Sequence, residues 1–280
     1  MNSMRTRRKG SIKEVVIFVA LVAFSVVYLF PVLWMILTAF RTEVDLEINE
    51  TSFIPNPWAL EGFQTMFESA PVGTWLKNSI AMTVIITFSV LLTSTLLGYV
   101  FARFEFRGKN LIFTILLATM MLPGQVTMIP RFIMILRMGL YNTLWAVIIP
   151  NLVRIYNIYL CRSAIESLPR SLFDAAQLDG AGPWRIYWNV VLPNIKPAIG
   201  VTGIFTAMGA WNNYRDPLIY LNDPEKMTLP LALTWFSTQR GSNTAATMAA
   251  ALIIMAPMIV VFFLFQKQFM NRNDMSNRGQ

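Results

Sequence analysis

The residues best suited to chemistry in this chain form one polar segment between two apolar runs, Asp174-Ala175-Ala176-Gln177-Leu178-Asp179-Gly180-Ala181. Its small alanine side chains allow another surface to approach closely, and its two aspartates offer carboxylates that accept charge-assisted hydrogen bonds. This combination favours docking to another protein over catalysis. The candidate docking residues are Asp174, Ala175, Ala176, Leu178, Asp179, Gly180 and Ala181.

Two short helices are predicted to position these residues. Ser171, three residues before Asp174, is typical of a helix start, and Gly180 is typical of a helix end in the left-handed conformation. Pro183 favours the start of a second helix and Pro193 its end. We call these two helices and their turn, residues 171–193, the elbow. One face of the second helix is predicted to carry Trp184, Tyr187, Trp188 and Val191. These aromatic residues either pack beneath the elbow or anchor it at a bilayer surface.

Long apolar stretches dominate the rest of the chain. Of its 280 residues, 55% are hydrophobic and 14% are charged, and the mean hydropathy is +0.51. Apolar runs of about 20 residues match the hydrocarbon layer of a bilayer, which is about 30 Å thick. The sequence therefore predicts an all-α membrane protein. Its six transmembrane helices are expected at 15–38, 80–101, 111–129, 143–160, 197–210 and 245–265.

The distribution of positive charge predicts the orientation, because Lys and Arg near span ends resist translocation. A cytoplasmic N-terminus places most of the 23 Lys and Arg residues on the cytoplasmic side, together with the C-terminus and the elbow. Two segments then face outward. The first, 41–75, is acidic and is predicted to be an extended cover with a short helix around 60–68. The second, 215–243, is rich in turn-forming residues.

The residue inventory excludes several classes of function. The chain has no His and one Cys, Cys161, which excludes His-dependent catalytic pairs, a metal cluster and an intrachain disulfide. The net charge of +8 is spread along the chain, which argues against nucleic-acid binding. Gly108-Lys109 lacks the first glycine and the hydroxyl of a phosphate-binding loop, so ATP hydrolysis must occur on another polypeptide. No catalytic, metal-binding or cofactor-binding residue is predicted on this chain.

A second candidate site consists of polar residues in or beside the spans. Asn151, Arg154 and Asn157 recur every three residues along the fourth span, where Pro150 predicts a kink or break. Polar residues at this depth face a bundle interior, where they either line a pathway or join helices. The candidate substrate-pathway residues are Asn151, Arg154, Trp211, Asn212, Asn213 and Tyr214. Their amide and aromatic groups suit uncharged rings that carry many hydroxyl groups.

The docking segment resembles the signature of the transmembrane subunits of binding-protein-dependent ABC importers, Glu-Ala-Ala-x-x-Asp-Gly-Ala followed by an Ile-x-Leu-Pro ending. Asp174 replaces the leading Glu, which shortens the carboxylate's reach, and Val190 replaces the Ile. The likeness covers nearly the whole chain, including the Arg-Phe-Glu-Phe-Arg-Gly turn at 103–108 and the Trp-Asn at 211–212. It is greatest to the smaller permease subunit of maltose-type carbohydrate importers. In that family a Glu or Asp often follows the Trp-Asn, whereas Asn213 stands here.

This resemblance implies a type I ABC importer permease fold in which the elbow is the coupling helix. The implied partners are a second related permease subunit, two ATP-binding subunits that hold ATP and Mg, an extracytoplasmic solute-binding protein and membrane lipid. The solute-binding protein is expected at 215–243. The permease itself is not an enzyme and belongs in a prokaryotic plasma membrane.

Three regions are expected along the chain. Residues 1–72 are the first transmembrane helix and the acidic loop, 73–268 are the five-helix type-1 transmembrane domain, and 269–280 are a cytoplasmic tail. The predicted function is import of a sugar or oligosaccharide, with this chain forming half of the translocation pathway. The alternative is a self-contained secondary transporter or channel. The absence of ionisable residues from spans two, three and six argues against it.

Overall fold

The structure is a computed structural model that describes residues 12–49, 51–238 and 243–270. Every regular element in these residues is helical, which confirms the predicted all-α class. Helices satisfy their own backbone hydrogen bonds, as lipid requires. The described residues divide into two compact units, 12–69 with 236–253 without the undescribed positions, and 70–235 with 254–270.

The described α-helices follow one another in chain order with short connections. They are α1 (Ile12–Ala39), α2 (Glu43–Ile48), α3 (Glu61–Ser69), α4 (Val72–Arg103), α5 (Lys109–Thr119), α6 (Met128–Arg137), α7 (Leu144–Ile148), α8 (Ile155–Glu166), α9 (Arg170–Leu178), α10 (Pro183–Ile186), α11 (Leu192–Asn194), α12 (Lys196–Trp211), α13 (Arg215–Tyr220), α14 (Leu229–Thr238) and α15 (Thr244–Met270). Short 3-10 turns lie at Ile149–Asn151 and Pro224–Lys226, and a π turn lies at Tyr187–Val191.

Helix length and composition support several of the predicted spans. Among the described residues, three stretches are long and apolar enough to cross a membrane: Lys13–Ala39, Val72–Arg103 and Leu144–Glu166. A fourth candidate is the pair Pro183–Asn194 and Lys196–Trp211, which is bent by 78°. These four overlap the predicted first, second, fourth and fifth spans. Helix α5 at the predicted third position is shorter, and at the sixth position the apolar stretch that counts is the Thr244–Val260 part of α15. Helix length and composition therefore support up to four spans, and the predicted six are not confirmed.

The predicted third span, 111–129, differs most from the structure. Helix α5 ends at Thr119, turns follow at 120–127, and α6 begins at Met128. Pro123 accounts for this break, because a proline inside a helix removes an N–H donor and clashes with the preceding turn. The apolar run at this position therefore extends through a turn.

Helix α4 is central to the packing of the second unit, where it lies against α8 and α12. Gly98 permits a close approach to α8, since a Cβ there would lie 2.9 Å from the backbone N of Arg162 and from the Cβ of Cys161. Small residues at such crossings are typical of helices packed within membranes. A buried hydrogen bond of 2.7 Å from Asn157 Nδ2 to Thr206 Oγ1 joins α8 to α12. These contacts hold the three helices as one bundle.

The fourth predicted span is broken just after Pro150, as the proline predicts. Helix α7 passes into a single 3-10 turn, and α8 begins only after Arg154, whose backbone is extended. The break frees the carbonyl of Leu152, which accepts a hydrogen bond of 3.0 Å from Ser89 Oγ of α4. The bundle thus satisfies the freed backbone group and places Arg154 at the start of α8.

The N-terminal end of α4 is tied to the segment 224–229. Trp75 Nε1 donates to the carbonyl of Pro224 at 2.6 Å, and the N–H of Leu229 donates to Ser79 Oγ at 2.7 Å. Helices α13 and α14 both lie within 215–243, the loop that was predicted to be turn-rich. This loop therefore contains more helix than expected. Its residues 239–242 lie outside the described part of the chain.

In the first unit, a buried arginine organises the segment that follows α1. Arg41 is 1% exposed and donates from Nε to the carboxylate of Asp45. Its other nitrogen atoms donate to the carbonyl groups of Asp45, Asn49 and Ser52, each at 2.8 Å. A buried charge is tolerated when its donors are satisfied in this way. Helix α3 confirms the short helix expected here, whereas the extended cover is wrong because Arg41 folds the chain into α2.

Candidate functional site

The first helix of the elbow begins earlier than its sequence predicts. Helix α9 starts at Arg170 after Pro169, and no side chain caps its N-terminus. The predicted start at Ser171 is one residue late, and the expected place of Asp174 near the positive helix end is wrong. The fixed φ of Pro169 sets the entry into the helix at the residue before Ser171. Asp174 lies in the second turn, and its side chain is exposed.

Gly180 ends this helix in the left-handed conformation, as predicted, with a φ of +74°. The N–H of Ala181 donates to the carbonyl of Ala176, and the N–H of Gly180 donates to the carbonyl of Gln177, both at 2.9 Å. These two bonds form a Schellman motif, which satisfies carbonyl groups that a helix end otherwise leaves unpaired. The motif fixes the turn that presents Asp179, the C-cap residue.

The second helix begins at Pro183, as predicted, but its large side chains do not share one face. Tyr187 and Val191 are buried, whereas Trp184 is 67% exposed and Trp188 is 58% exposed. A π turn begins at Tyr187, and its wider hydrogen-bond spacing changes the register of the side chains. The predicted single face is therefore wrong, and the two tryptophans remain on the surface.

The elbow continues directly into α12. Pro193 lies inside α11, which ends at Asn194, one residue after the predicted helix end. The chain bends by 78° between the second helix of the elbow and α12, at Ile195, whose backbone departs from helical geometry. The second helix and α12 are consequently one bent element.

The structure divides the predicted docking residues between two sides of the elbow. Ala176 and Ala181 are half-buried and pack against a cluster that contains Phe173 and Tyr187. Leu178 is 89% exposed. The remaining exposed members of the set are Asp174, Ala175, Asp179 and Gly180. An apolar side chain that is this exposed, beside carboxylates and a fixed turn, suits a surface that a partner covers.

The second unit also contains an open cavity of about 460 Å³. Its lining residues are Asn151, Arg154, Gly209, Asn212, Asn213, Tyr214, Arg215 and Asp216. The structure therefore brings together all but one of the predicted substrate-pathway residues. The exception is Trp211, which is 3% exposed and donates from Nε1 to the carbonyl of Ile254 at 3.0 Å.

Asp216 organises the polar lining of this cavity. Its Oδ2 atom accepts hydrogen bonds of 2.9 Å from Asn151 Nδ2 and from Asn213 Nδ2. Asn213 Oδ1 in turn accepts from the N–H of Asp216 at 3.2 Å. The sequence places Asp216 only within the outward-facing segment 215–243. The available signal was the Asn213-x-x-Asp216 spacing, which favours reciprocal hydrogen bonds at the start of a helix.

Arg154 provides the cationic side of the cavity. Its guanidinium lies over Gly209, where a Cβ would be 3.2 Å from Nη1. Within the described part of the chain, no ion pair includes Arg154. The cavity thus presents guanidinium donors, amide groups and a carboxylate, which together can donate to and accept from hydroxyl groups. Asn157, the third residue of the predicted polar stripe, instead joins helices through Thr206.

A metal site is not assembled by the residues that the structure describes. Among them, no group of three or more Cys, Asp or Glu side chains is placed to hold an ion. The cavity offers hydrogen-bonding groups, and the elbow offers an exposed surface.

A family comparison covers both regions. The sequence profile of a family described as "Binding-protein-dependent transport system inner membrane component" matches residues 94–274. This match begins within α4 and includes the elbow and every residue that lines the cavity.

Several curated proteins are similar over most of their length. The arabinooligosaccharides transport system permease protein AraQ of Halalkalibacterium halodurans is 32% identical, over 89% of this chain and 90% of the relative. The probable ABC transporter permease protein YurM of Bacillus subtilis is also 32% identical, over 95% of this chain and 88% of the relative. The diacetylchitobiose uptake system permease protein NgcG of Streptomyces coelicolor is 28% identical, over 89% and 83%.

Solved structures share the fold. A chain of a bacterial ABC transporter for import of the acidic polysaccharide alginate matches with a TM-score of 0.85 at 23% identity, over 96% of this chain and 99% of the other. A chain of a bacterial alginate ABC transporter, solved with a periplasmic protein bound to alginate pentasaccharide, matches with a TM-score of 0.64 at 15% identity, over 90% and 93%. At these identities the likeness establishes the fold alone.

Proposed function

Because the chain belongs to the family of binding-protein-dependent transport system inner membrane components, we propose that it is a permease subunit of an ATP-driven importer of a sugar or oligosaccharide. The single observation that carries this proposal is the fixed and exposed turn of the elbow within the family's matched region. The relatives named for arabinooligosaccharide and diacetylchitobiose transport support a saccharide as the solute.

The elbow is the surface on which a separate ATPase docks. Leu178 supplies an exposed apolar contact, and Asp174 and Asp179 supply carboxylates beside it. The Schellman turn holds this surface in one conformation, which reduces the entropy lost on docking. ATP and Mg are bound and used on that partner, since this chain carries no phosphate-binding loop. The chain itself is a non-catalytic subunit.

The cavity is part of the route for the solute. Its amides, Arg154 and Asp216 offer both donors and acceptors, and Tyr214 adds an aromatic side chain. Hydroxyl-rich rings are recognised by this mixture of directed hydrogen bonds and aromatic surface. Trp211 contributes indirectly, by fixing the end of α12 through its bond to Ile254.

The remaining features of the assembly follow from the same proposal. Six spans cross a prokaryotic plasma membrane, with both termini and the elbow in the cytoplasm. A second related permease subunit completes the translocation pathway, and two ATPase subunits bind on the cytoplasmic side. Residues 1–72, 73–268 and 269–280 are the regions of this arrangement, although residues 1–11 and 271–280 lie outside the described part of the chain. An extracytoplasmic solute-binding protein contacts 215–243, a role supported by the periplasmic protein in the related alginate complex.

Reconstitution tests this proposal directly. The chain is co-expressed with its cognate ATPase, sister permease and binding protein, and uptake of labelled saccharides into proteoliposomes is measured with and without ATP. A thermal-shift screen of the binding protein against sugars selects the saccharides. We expect co-purification and ATP-dependent uptake that requires the binding protein. Uptake by this chain alone, driven by an ion gradient, would overturn the proposal in favour of a secondary transporter.

A further inference from the structure

The last residue of α4, Arg103, links this helix to the end of α8. Its Nη2 atom donates to the carbonyl groups of Ile165 and Leu168, each at 2.9 Å. Carbonyl groups at the C-terminal end of a helix have no partner within that helix, and an arginine side chain is suited to satisfy them. Arg103 therefore fixes the point at which the chain leaves α8 and enters the elbow.

The same guanidinium also holds the first helix of the elbow. Its central carbon lies 3.7 Å from the centroid of the Phe173 ring, and Phe173 is 6% exposed. A planar guanidinium can stack on an aromatic face while its edge donates hydrogen bonds, which an ammonium group cannot do. Arg103 Nε has no hydrogen-bond partner among the described residues, so the two Nη2 bonds and the stacked ring are what retain its position.

Helix α4 contacts the second helix of the elbow as well. Thr95 Oγ1 and Tyr187 Oη are 2.7 Å apart, and Tyr99 Oη donates to the carbonyl of Pro183 at 3.4 Å. The rings of Tyr99 and Tyr187 lie 5.8 Å apart at their centroids. Both helices of the elbow thus contact the last third of a single helix.

The opposite end of α4 makes its own fixed contacts, through Trp75 and Ser79 with the segment 224–229. An unbroken helix of 32 residues is about 48 Å long at 1.5 Å per residue. A displacement of its C-terminal end is therefore carried along its axis to the far side of the bundle. Rigid, packed helices of this kind can carry energetic coupling between distant sites.

We infer that Arg103 is the positioning residue that transmits movement of the elbow to α4 and α8 together. This inference rests on the proposed docking of an ATPase at the elbow and adds the route by which docking reaches the spans. The carbonyl bonds join α4 to α8, and the Phe173 stack joins both to α9. Loss of Arg103 leaves the docking surface in place but allows it to move without the spans.

The test is the coupling ratio, measured in the reconstituted complex as solute imported per ATP hydrolysed. Arg103→Ala is expected to lower this ratio about tenfold, within the range of known allosteric couplings, while the complex assembles and basal ATP hydrolysis persists. Arg103→Lys is expected to recover part of it, because an ammonium group can donate to the carbonyl groups but has no planar face. Arg107→Ala, an exposed cation in the following turn, is the matched control and should keep the wild-type ratio.

Phe173→Leu tests the stack separately from the hydrogen bonds. Leucine keeps an apolar side chain in the cluster but removes the aromatic face, so the coupling ratio should fall while assembly is retained. The Arg103→Ala and Phe173→Leu effects should be less than additive when combined, since both break one contact. If the complex that contains Arg103→Ala does not assemble, the coupling ratios of the Arg103→Lys and Phe173→Leu complexes test the inference instead.

The outcomes separate this inference from the docking proposal. A wild-type coupling ratio in assembled Arg103 and Phe173 variants would overturn the inference and leave docking intact. Normal ATP-driven transport after disruption of the exposed turn at Asp179 would instead overturn the docking itself. A fall in the ratio with no change in assembly supports the route through Arg103.

Discussion

Asn151 Nδ2 donates a hydrogen bond of 2.9 Å to Asp216 Oδ2, and so joins the broken part of the fourth predicted span to helix α13. Asn213 donates to the same oxygen at 2.9 Å. One carboxylate oxygen therefore orders two walls of the cavity, although the two asparagines are distant in sequence. The polar lining depends on this arrangement more than on any single lining residue.

Replacing Asp216 with Ala should lower uptake about tenfold or more while the complex still assembles. Asn213 Nδ2 would lose this acceptor and Asn151 Nδ2 would keep the carbonyl of Val147, and a hydrogen bond to a charged group contributes about 1.5–3 kcal/mol. Initial uptake rates in proteoliposomes measure the effect. Stimulation of ATP hydrolysis by the binding protein should persist, which separates a cavity defect from a docking defect. Glu68→Ala is the control, because the Glu68 side chain is exposed; equal losses in both variants would argue against the cavity.

Gly180 and Gly182 provide a matched pair in one turn. Gly180 has a φ of +74°, so alanine there is strained by about 1–2 kcal/mol and should weaken co-purification of the ATPase. Gly182 has a φ of −71°, and a Cβ added to it would meet no atom within 4 Å, so alanine there should be neutral. Equal ATPase recovery with Gly180→Ala and Gly182→Ala would contradict the role of the left-handed turn.

Two glycines of α4 test its packing in the same way. A Cβ at Gly98 would lie 2.9 Å from backbone N of Arg162, so Gly98→Ala should separate α4 from α8 and destabilise the protein by about 1–3 kcal/mol. Gly73 has open space around it, and Gly73→Ala should be neutral or slightly stabilising because alanine favours helix. Thermal unfolding in detergent measures both, and an unchanged melting temperature for Gly98→Ala would exclude the close helix contact.

The Arg41 and Asp45 pair predicts a response to acid. Hydrogen bonds from the Arg41 guanidinium, and then from Asn49, lower the pKa of the Asp45 carboxyl below its ordinary value of 3.8. The contribution of this pair to folding stability is therefore fully present above pH 3.8, the ordinary pKa. It is lost as the pH falls through the lower pKa that Asp45 has in the folded state. Proteolysis of the segment 41–52 should be slow from pH 8 to about pH 5 and faster only in stronger acid.

Asp45→Asn removes this charge at every pH. It should make the same segment protease-sensitive at pH 7, where the wild-type segment is protected, and the difference should disappear in strong acid. Glu47→Gln is the control, since the Glu47 side chain is exposed. Protection of the Asp45→Asn segment at pH 7 would show that the pair does not hold α2.

Local chemistry made parts of the elbow predictable. Gly180 indicated a left-handed helix end and Pro183 a helix start, and both are present, because glycine adopts a positive φ without steric cost and proline fixes its own φ. The predicted start at Ser171 was one residue late, since Pro169 sets the entry, and the π turn at Tyr187 has no signal in residue spacing. The polar cavity residues were grouped correctly except for Trp211, whose hydrogen bond to Ile254 depends on tertiary packing.

Long-range roles of charged residues were not predictable from the sequence. Arg41 was expected in an outward loop and Arg103 in a turn near a span end, because isolated charges usually mark solvent-exposed positions. Their actual partners are backbone carbonyl groups and a ring that become neighbours only after folding. The break of the third span at Pro123 shows the same limit, since apolar composition continues across a turn.

The central claim is that the exposed turn of the elbow is where a separate ATPase drives this permease. The most direct measurement is ATP-dependent uptake and ATPase co-purification for Asp179→Lys, with Glu68→Lys as a control at another exposed carboxylate. We predict that the Asp179→Lys protein inserts normally but loses the ATPase or transports without coupling, while Glu68→Lys behaves as wild type. Full ATP-driven uptake by the Asp179→Lys complex would contradict the claim.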